Sequence, residues 1–119
     1  MRKNLRDRSE FQRVYKNGKR FDGNYITVFV IDNQGREHRL GVTASKKVLG
    51  KAVQRNRAKR LLRESFRSNE ESLRELLNTY DWVANAKLSI LSQKVDGPSK
   101  EFEQIIEKVG KLEARESVK

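Results

Sequence analysis

The sequence predicts a single-domain α/β two-layer sandwich built on a small mixed sheet, with elements in the order α-β-β-α-α-β-α. Three observations carry that expectation. Runs rich in β-branched and aromatic residues lie between segments whose apolar residues recur at helical spacing. The strand 40–44, a helix over 52–67 and the strand 80–87 have the lengths and order of a βαβ crossover. The 119 residues fit one compact domain.

Taking the elements in order, Ser9-Glu10-Phe11-Gln12 reads as a capping box with Ser9 as N-cap. Phe11, Val14 and Tyr15 then fall on one helical face, and Asn17-Gly18 closes a helix over 9–17, with Gly18 in the left-handed position. The run 21–31, with Tyr25, Ile26, Val28, Phe29 and Val30, reads as a strand covered on both faces. Asp32-Asn33-Gln34-Gly35 is a turn. Residues 38–45 alternate, with Leu40, Val42 and Ala44 on one face and Thr43 and Ser45 on the other, so the two runs are expected to form an antiparallel hairpin.

A basic loop follows over 46–51. In the helix 52–67, Ala58, Leu61, Leu62, Ser65 and Phe66 make a narrow buried stripe. Ser68-Asn69-Glu70-Glu71 is a second capping box, opening a short helix that carries Leu73, Leu76 and Leu77. Residues 80–87 form the last strand, and 87–97 a loop. A final helix starts near Pro98-Ser99, with Phe102, Ile105, Ile106, Val109 and Leu112 on its apolar side. The chain from about 113 to 119 is expected to fray. No repeat or interdomain linker interrupts this pattern, so residues 1–119 form one domain.

Composition sharpens the reading. Net charge is +11 and charged residues make up 36% of the chain. Mean hydropathy is -0.87, so the core must be lean. The excess is localised: residues 46–67 hold nine basic residues against one acid, Glu64, while residues 68–119 are net acidic. A surplus concentrated in this way points to a polyanionic partner. There is no Cys, hence no disulfide and no thiolate metal site. No apolar run reaches the length of a membrane span, and the basic N-terminus lacks a following apolar stretch, so a soluble cytoplasmic protein with no membrane partner is expected.

On a helix, Arg55, Asn56, Lys59, Arg60, Arg63 and Arg67 lie largely opposite the apolar stripe, with Arg57 nearer its margin. Lys46, Lys47 and Lys51 precede them around Gly50. The plain alternative is a solvated helix face, but such a face mixes signs, with acids at i+4 to the bases. Here like charges stack and repel unless a polyanion relieves them. Arg predominates over Lys in the helix, and its planar fork suits phosphates and base edges. Charge alone leaves DNA and RNA both open.

The same residues resemble a known family. Ser45-Lys46-Lys47, Gly50-Lys51-Ala52-Val53, Arg55-Asn56-Arg57, Lys59-Arg60 and Arg63-Glu64 look like the signature of the bacterial ribonuclease P protein. Glu10-Phe11, Val14-Tyr15 and Gly18 resemble that family's first helix, Leu40-Gly41-Val42 its second strand, and Asp81, Val83 and Ala86-Lys87 its last. The resemblance covers about residues 5–112. Asn85 departs from it, standing where the family is usually apolar.

The resemblance implies a left-handed βαβ crossover, in a fold shared with a domain of a small-subunit ribosomal protein, although nearly all such crossovers are right-handed. It implies a subunit of an endoribonuclease that removes the 5′ leader of precursor tRNA. In that family a catalytic RNA and Mg²⁺ perform the hydrolysis, and the protein alone requires no cofactor. The implied partners are that RNA, in a 1:1 complex with a protein monomer, and precursor tRNA. Lys46, Lys47, Lys51, Arg55, Asn56, Arg57, Lys59, Arg60, Arg63 and Arg67 become the candidate RNA contacts. Phe11, Tyr15, Phe29, Thr43 and Ser45 become candidates for a leader cleft, since unpaired bases stack on aromatic rings. The alternative reading of the aromatic residues is that they belong to the core.

The alternative is a structural RNA binder or RNA chaperone with no part in cleavage. A chaperone needs only the basic surface, whereas the signature together with the aromatic first helix favours the ribonucleoprotein enzyme. The sequence shows no nucleophile–base pair and no carboxylate cluster for two metals, so no catalytic residues of the protein are expected.

Overall fold

A computed structural model describes residues 4–117. Helix α1 spans Arg8–Asn17, followed by strands β1 (Lys19–Asp22), β2 (Ile26–Asp32) and β3 (Arg39–Thr43). Helices α2 (Lys46–Leu49), α3 (Ala52–Arg67) and α4 (Glu70–Arg74) lead to β4 (Tyr80–Ala86). A 3₁₀ turn at Leu88–Ser92 and helix α5 (Asp96–Ser117) complete the fold. The strands form one mixed sheet in the order β1-β2-β4-β3. The architecture is thus the expected two-layer α/β sandwich.

The expected hairpin between 21–31 and 38–45 is not formed. The first run breaks at Gly23-Asn24, where the Gly23 N–H donates to the Ile26 carbonyl at 2.8 Å, and β1 folds back antiparallel on β2. Strand β2 then pairs antiparallel with β4, and β3 pairs parallel with β4 from its other side. The physical reason lies in β2 itself. Ile26, Val28 and Val30 are buried on one face and Phe29 and Ile31 are partly covered on the other, so β2 takes a central place, with β4 between it and β3. The parallel β3–β4 connection runs through α3, which is the predicted βαβ unit.

Alternation divides the sheet into two unlike faces. On one, Ile26, Val28, Val30, Leu40, Trp82 and Ala84 pack against Ala58, Leu61 and Leu62 of α3 and Phe102, Ile105 and Ile106 of α5. On the other, Phe29, Ile31 and Val83 meet Phe11 and Val14 of α1, together with Leu5. Helix α1 covers part of this second face only.

Several element ends differ from expectation. The first capping box uses Asp7 and Glu10: Glu10 Oε1 accepts the Asp7 N–H at 3.0 Å, and Ser9 already lies inside the helix. Gly18 has an extended backbone, and its missing side chain matters because a Cβ there would stand 2.5 Å from the Val14 carbonyl oxygen. Helix α4 takes Asn69 as N-cap, while the Ser68 hydroxyl bonds back to the Ser65 carbonyl. The basic loop contains α2, capped by Ser45, whose Oγ accepts the Val48 N–H at 3.2 Å. Gly50, at φ 78°, makes the left-handed turn from α2 into α3. Helix α5 begins earlier than expected and continues to Ser117. Glu113, expected to start a frayed tail, is buried and accepts from the Leu77 and Asn78 N–H groups and the Tyr80 hydroxyl. Residues 118–119 of that expected tail lie outside the described residues.

Two buried polar groups fix the sheet. Asp81 is fully buried and accepts two bonds from Arg39, at 2.7 and 2.6 Å, and one from Asn33 at 2.9 Å. Arg39 reaches on to Glu10 of α1 at 2.9 Å, so the pair ties α1 to the β3–β4 edge. The single His38 is structural. Its Nδ1 accepts from the Tyr80 N–H and the Trp82 indole, each at 3.1 Å, and its Nε2 faces the Leu73 carbonyl at 3.1 Å. The carbonyl can only accept, so the ring carries its proton on Nε2.

Candidate nucleic-acid interface

The basic segment occupies α2 and α3 at one end of β3 and across the helical layer. Lys46, Lys47, Lys51, Asn56, Arg60, Arg63 and Arg67 are exposed, and Arg55 and Lys59 are half-buried at the edges of the face. Buried Ala58, Leu61, Leu62 and Ser65 set which side of α3 turns outward. Among the described residues, ion pairs form at Arg13, Arg20, Arg39, Arg74 and Lys87, and none involves a basic residue of 46–67. The charge of this surface is therefore not compensated by ion pairs among the described residues. Arg57 differs from its neighbours. Its guanidinium donates to the Leu91 carbonyl at 2.8 Å and the Gln93 carbonyl at 3.0 Å, which fastens α3 to the segment before α5. Those two donors are committed to the fold, as its place at the margin of the stripe would suggest.

The second candidate region lies on the opposite face of the sheet. Tyr15, 38% exposed, projects from α1 and meets the Phe29 ring edge-on, with centroids 4.9 Å apart. The Arg20 guanidinium stands over Phe29, 5.7 Å from the ring centre. Phe11 lies deeper, half-buried against Gly41, where a Cβ would approach the Phe11 ring to 2.6 Å. Gly41 is thus the position that lets α1 settle on the sheet. Phe11 is largely a packing residue, whereas Tyr15 and Phe29 form an aromatic wall.

Beside that wall, a polar row crosses all four strands: Asp22, Thr27, Asn85 and Thr43 are successive cross-strand neighbours. The Thr27 hydroxyl donates to Asp22 at 2.8 Å, and Arg20 holds the same carboxylate through two bonds. The Arg20 hydrogen bond, followed by that from Thr27, keeps the Asp22 pKa below the ordinary carboxylate value. Thr43 donates to Asn85 Oδ1 at 2.6 Å. Ser45 follows one step beyond, exposed, with its oxygen engaged in capping α2.

Sequence reading missed Arg20, Thr27 and Asn85 as parts of this surface. The signal was present in the alternation of β4, where Tyr80, Trp82 and Ala84 face the core and Asp81, Val83 and Asn85 face α1. It needed the strand order to become useful. Among the described residues, no group of three His, Asp or Glu side chains is placed to hold a metal ion, and no helix is long and apolar enough to cross a membrane.

The Ribonuclease P family model matches residues 1–110. The chain belongs to the ribonuclease P protein family. It is 39% identical to the ribonuclease P protein component of Clostridium kluyveri over 106 residues, covering 89% of this chain and 93% of the relative. It is 37% identical to that of Caldanaerobacter subterraneus, covering 94% and 93%. Among solved structures, the ribonuclease P protein of Staphylococcus aureus superposes with a TM-score of 0.74 at 27% identity, covering 90% of this chain and 94% of that one. The Thermotoga maritima ribonuclease P protein gives 0.64 at 31% identity, covering 96% and 97%. These ribonuclease P proteins share the two-layer fold described above.

Proposed function

We propose that this protein subunit of ribonuclease P docks the catalytic RNA through α2 and α3 and holds the 5′ leader of precursor tRNA against the Tyr15–Phe29 wall. The RNA, with Mg²⁺ bound mainly by it, performs the hydrolysis, and the protein supplies binding and position but no catalytic group. The observation that carries the division of labour is the contrast in partners: among the described residues the basic residues of α2 and α3 make no ion pair, whereas the cleft residues hold one another in place. Uncompensated Lys and Arg side chains gain most from phosphates, through counterion release. Rigid aromatic rings suit unpaired bases. The complex forms one protein to one RNA in the cytoplasm.

Reconstitution with a bacterial ribonuclease P RNA tests this. The protein is expected to raise precursor tRNA cleavage at low Mg²⁺. RNA binding without any gain in cleavage would instead identify a structural binder or chaperone.

A further inference from the structure

Asn85 is a cleft side chain whose hydrogen bonding is half used. Its Oδ1 accepts from the Tyr15 hydroxyl at 2.7 Å and from the Thr43 hydroxyl at 2.6 Å. A carboxamide oxygen offers two lone pairs, so both are taken. The two bonds come from different elements, α1 and β3, and together they fix the plane of the amide. The Nδ2 group carries two hydrogens and makes no hydrogen bond within the described residues. Asn85 is half-buried, at the centre of the polar row and in contact with the exposed tyrosine of the aromatic wall.

We infer that Asn85 reads a nucleobase of the single-stranded leader, donating from Nδ2 to a carbonyl or ring-nitrogen acceptor of a base stacked at Tyr15 and Phe29. The inference rests on the leader-cleft reading and deepens it. A donor fixed on both sides is pre-organised, so little rotamer freedom is lost on binding. The site suits a base better than a phosphate. The carboxylate of Asp22 lies in the same row and already holds the nearest guanidinium, Arg20, through two hydrogen bonds, while Lys46 and Lys47 stand past the end of β3. Specificity follows because a base turning a donor toward Nδ2 leaves two hydrogens facing each other without a partner.

The test uses the reconstituted holoenzyme and a set of precursor tRNAs with each of the four nucleotides at each leader position near the cleavage site. With the wild-type protein, one position is expected to show a preference of about fivefold in affinity. Asn85→Asp keeps Oδ1 for the two hydroxyls and replaces the donor with an acceptor, so the order of preference at that position inverts. Asn85→Ala flattens it. Tyr15→Phe, which keeps the ring and removes one orienting bond, weakens it. Because the readout is a ratio among leaders, an overall loss from the added charge does not disturb it. An unchanged preference in Asn85→Asp, or equal loss for all four nucleotides as for a phosphate contact, overturns the inference. Tyr15→Ala separates the two levels. If it leaves the precursor-to-mature affinity ratio unchanged, the cleft reading falls and Asn85 with it. If it lowers that ratio while Asn85→Asp alters no preference, only the role of Asn85 falls.

Discussion

The basic face of α3 and the floor of the cleft lie on opposite sides of one sheet and are built on opposite principles. On α3 the basic side chains other than Arg57 are exposed or half-buried and, among the described residues, form no ion pair, so each acts nearly alone. In the cleft every functional group is held by another: Tyr15 by Phe29 and Asn85, Asn85 by Thr43, Thr27 by Asp22. On the proposed division, the first surface binds by summed charge and tolerates the loss of any one member. On the same proposal, the second binds by shape and is sensitive to what holds it. A phosphate backbone asks only for positive charge nearby, whereas a splayed base asks for a ring and a donor in fixed places.

The largest difference is expected in stability. Asp81→Ala removes a fully buried carboxylate, leaving Arg39 only Glu10 as an ionic partner and Asn33 without one of its acceptors, which costs ~3 kcal/mol. Arg60→Ala, at an exposed position, stays within ~0.5 kcal/mol. Denaturant unfolding of the two variants measures this, and similar losses for both would erase the contrast. Next in size is leader selectivity. Replacing Tyr15 by Ala is expected to weaken precursor tRNA binding by about tenfold, with mature tRNA nearly unaffected. Equal losses for the two RNAs would remove the leader role from the aromatic wall.

A smaller effect is expected on the basic face. Arg60→Ala should weaken RNA binding a few-fold without regard to the leader and reduce the salt slope by about one. An unchanged slope would deny it a phosphate contact. The smallest effect concerns His38, which lies outside both surfaces and so serves as a control. Burial holds its pKa below the ordinary 6.5, against the pull of the Leu73 carbonyl. The unfolded chain therefore takes up the proton more readily than the folded one, and stability declines as pH falls below about 6.5. Protonation of Nδ1 would also break its bonds from Tyr80 and Trp82. Unfolding curves across that range should show the decline, and His38→Asn should flatten it.

The two regions were also unequally legible in the sequence. The basic face follows from composition and helical periodicity alone, because a charge run and an apolar stripe are local properties. Only Arg57 needed the structure, since the Leu91 and Gln93 carbonyls it holds are far away in sequence. The cleft depends on strand order, which local pattern does not encode. Reading 21–31 as one strand paired with 38–45 placed β3 beside β2, and a sheet with β3 between β2 and β4 keeps Thr27 and Phe29 of β2 apart from Asn85 of β4. The break at Gly23-Asn24 and the double-sided burial of β2 were the clues to the true order. The Asp81–Arg39 pair was hidden because it depends on the register of β3 against β4, which sets the two residues opposite each other.

The central claim is the separation of the two surfaces, and one paired measurement tests it directly. In the reconstituted holoenzyme, the affinity ratio of precursor to mature tRNA is measured for Tyr15→Ala and for Arg60→Ala, together with the affinity of each protein for the catalytic RNA. The separation predicts that Tyr15→Ala lowers the ratio and leaves catalytic RNA affinity intact, while Arg60→Ala lowers catalytic RNA affinity and leaves the ratio intact. If both variants lower both quantities to the same extent, the surfaces act as one and the account is contradicted.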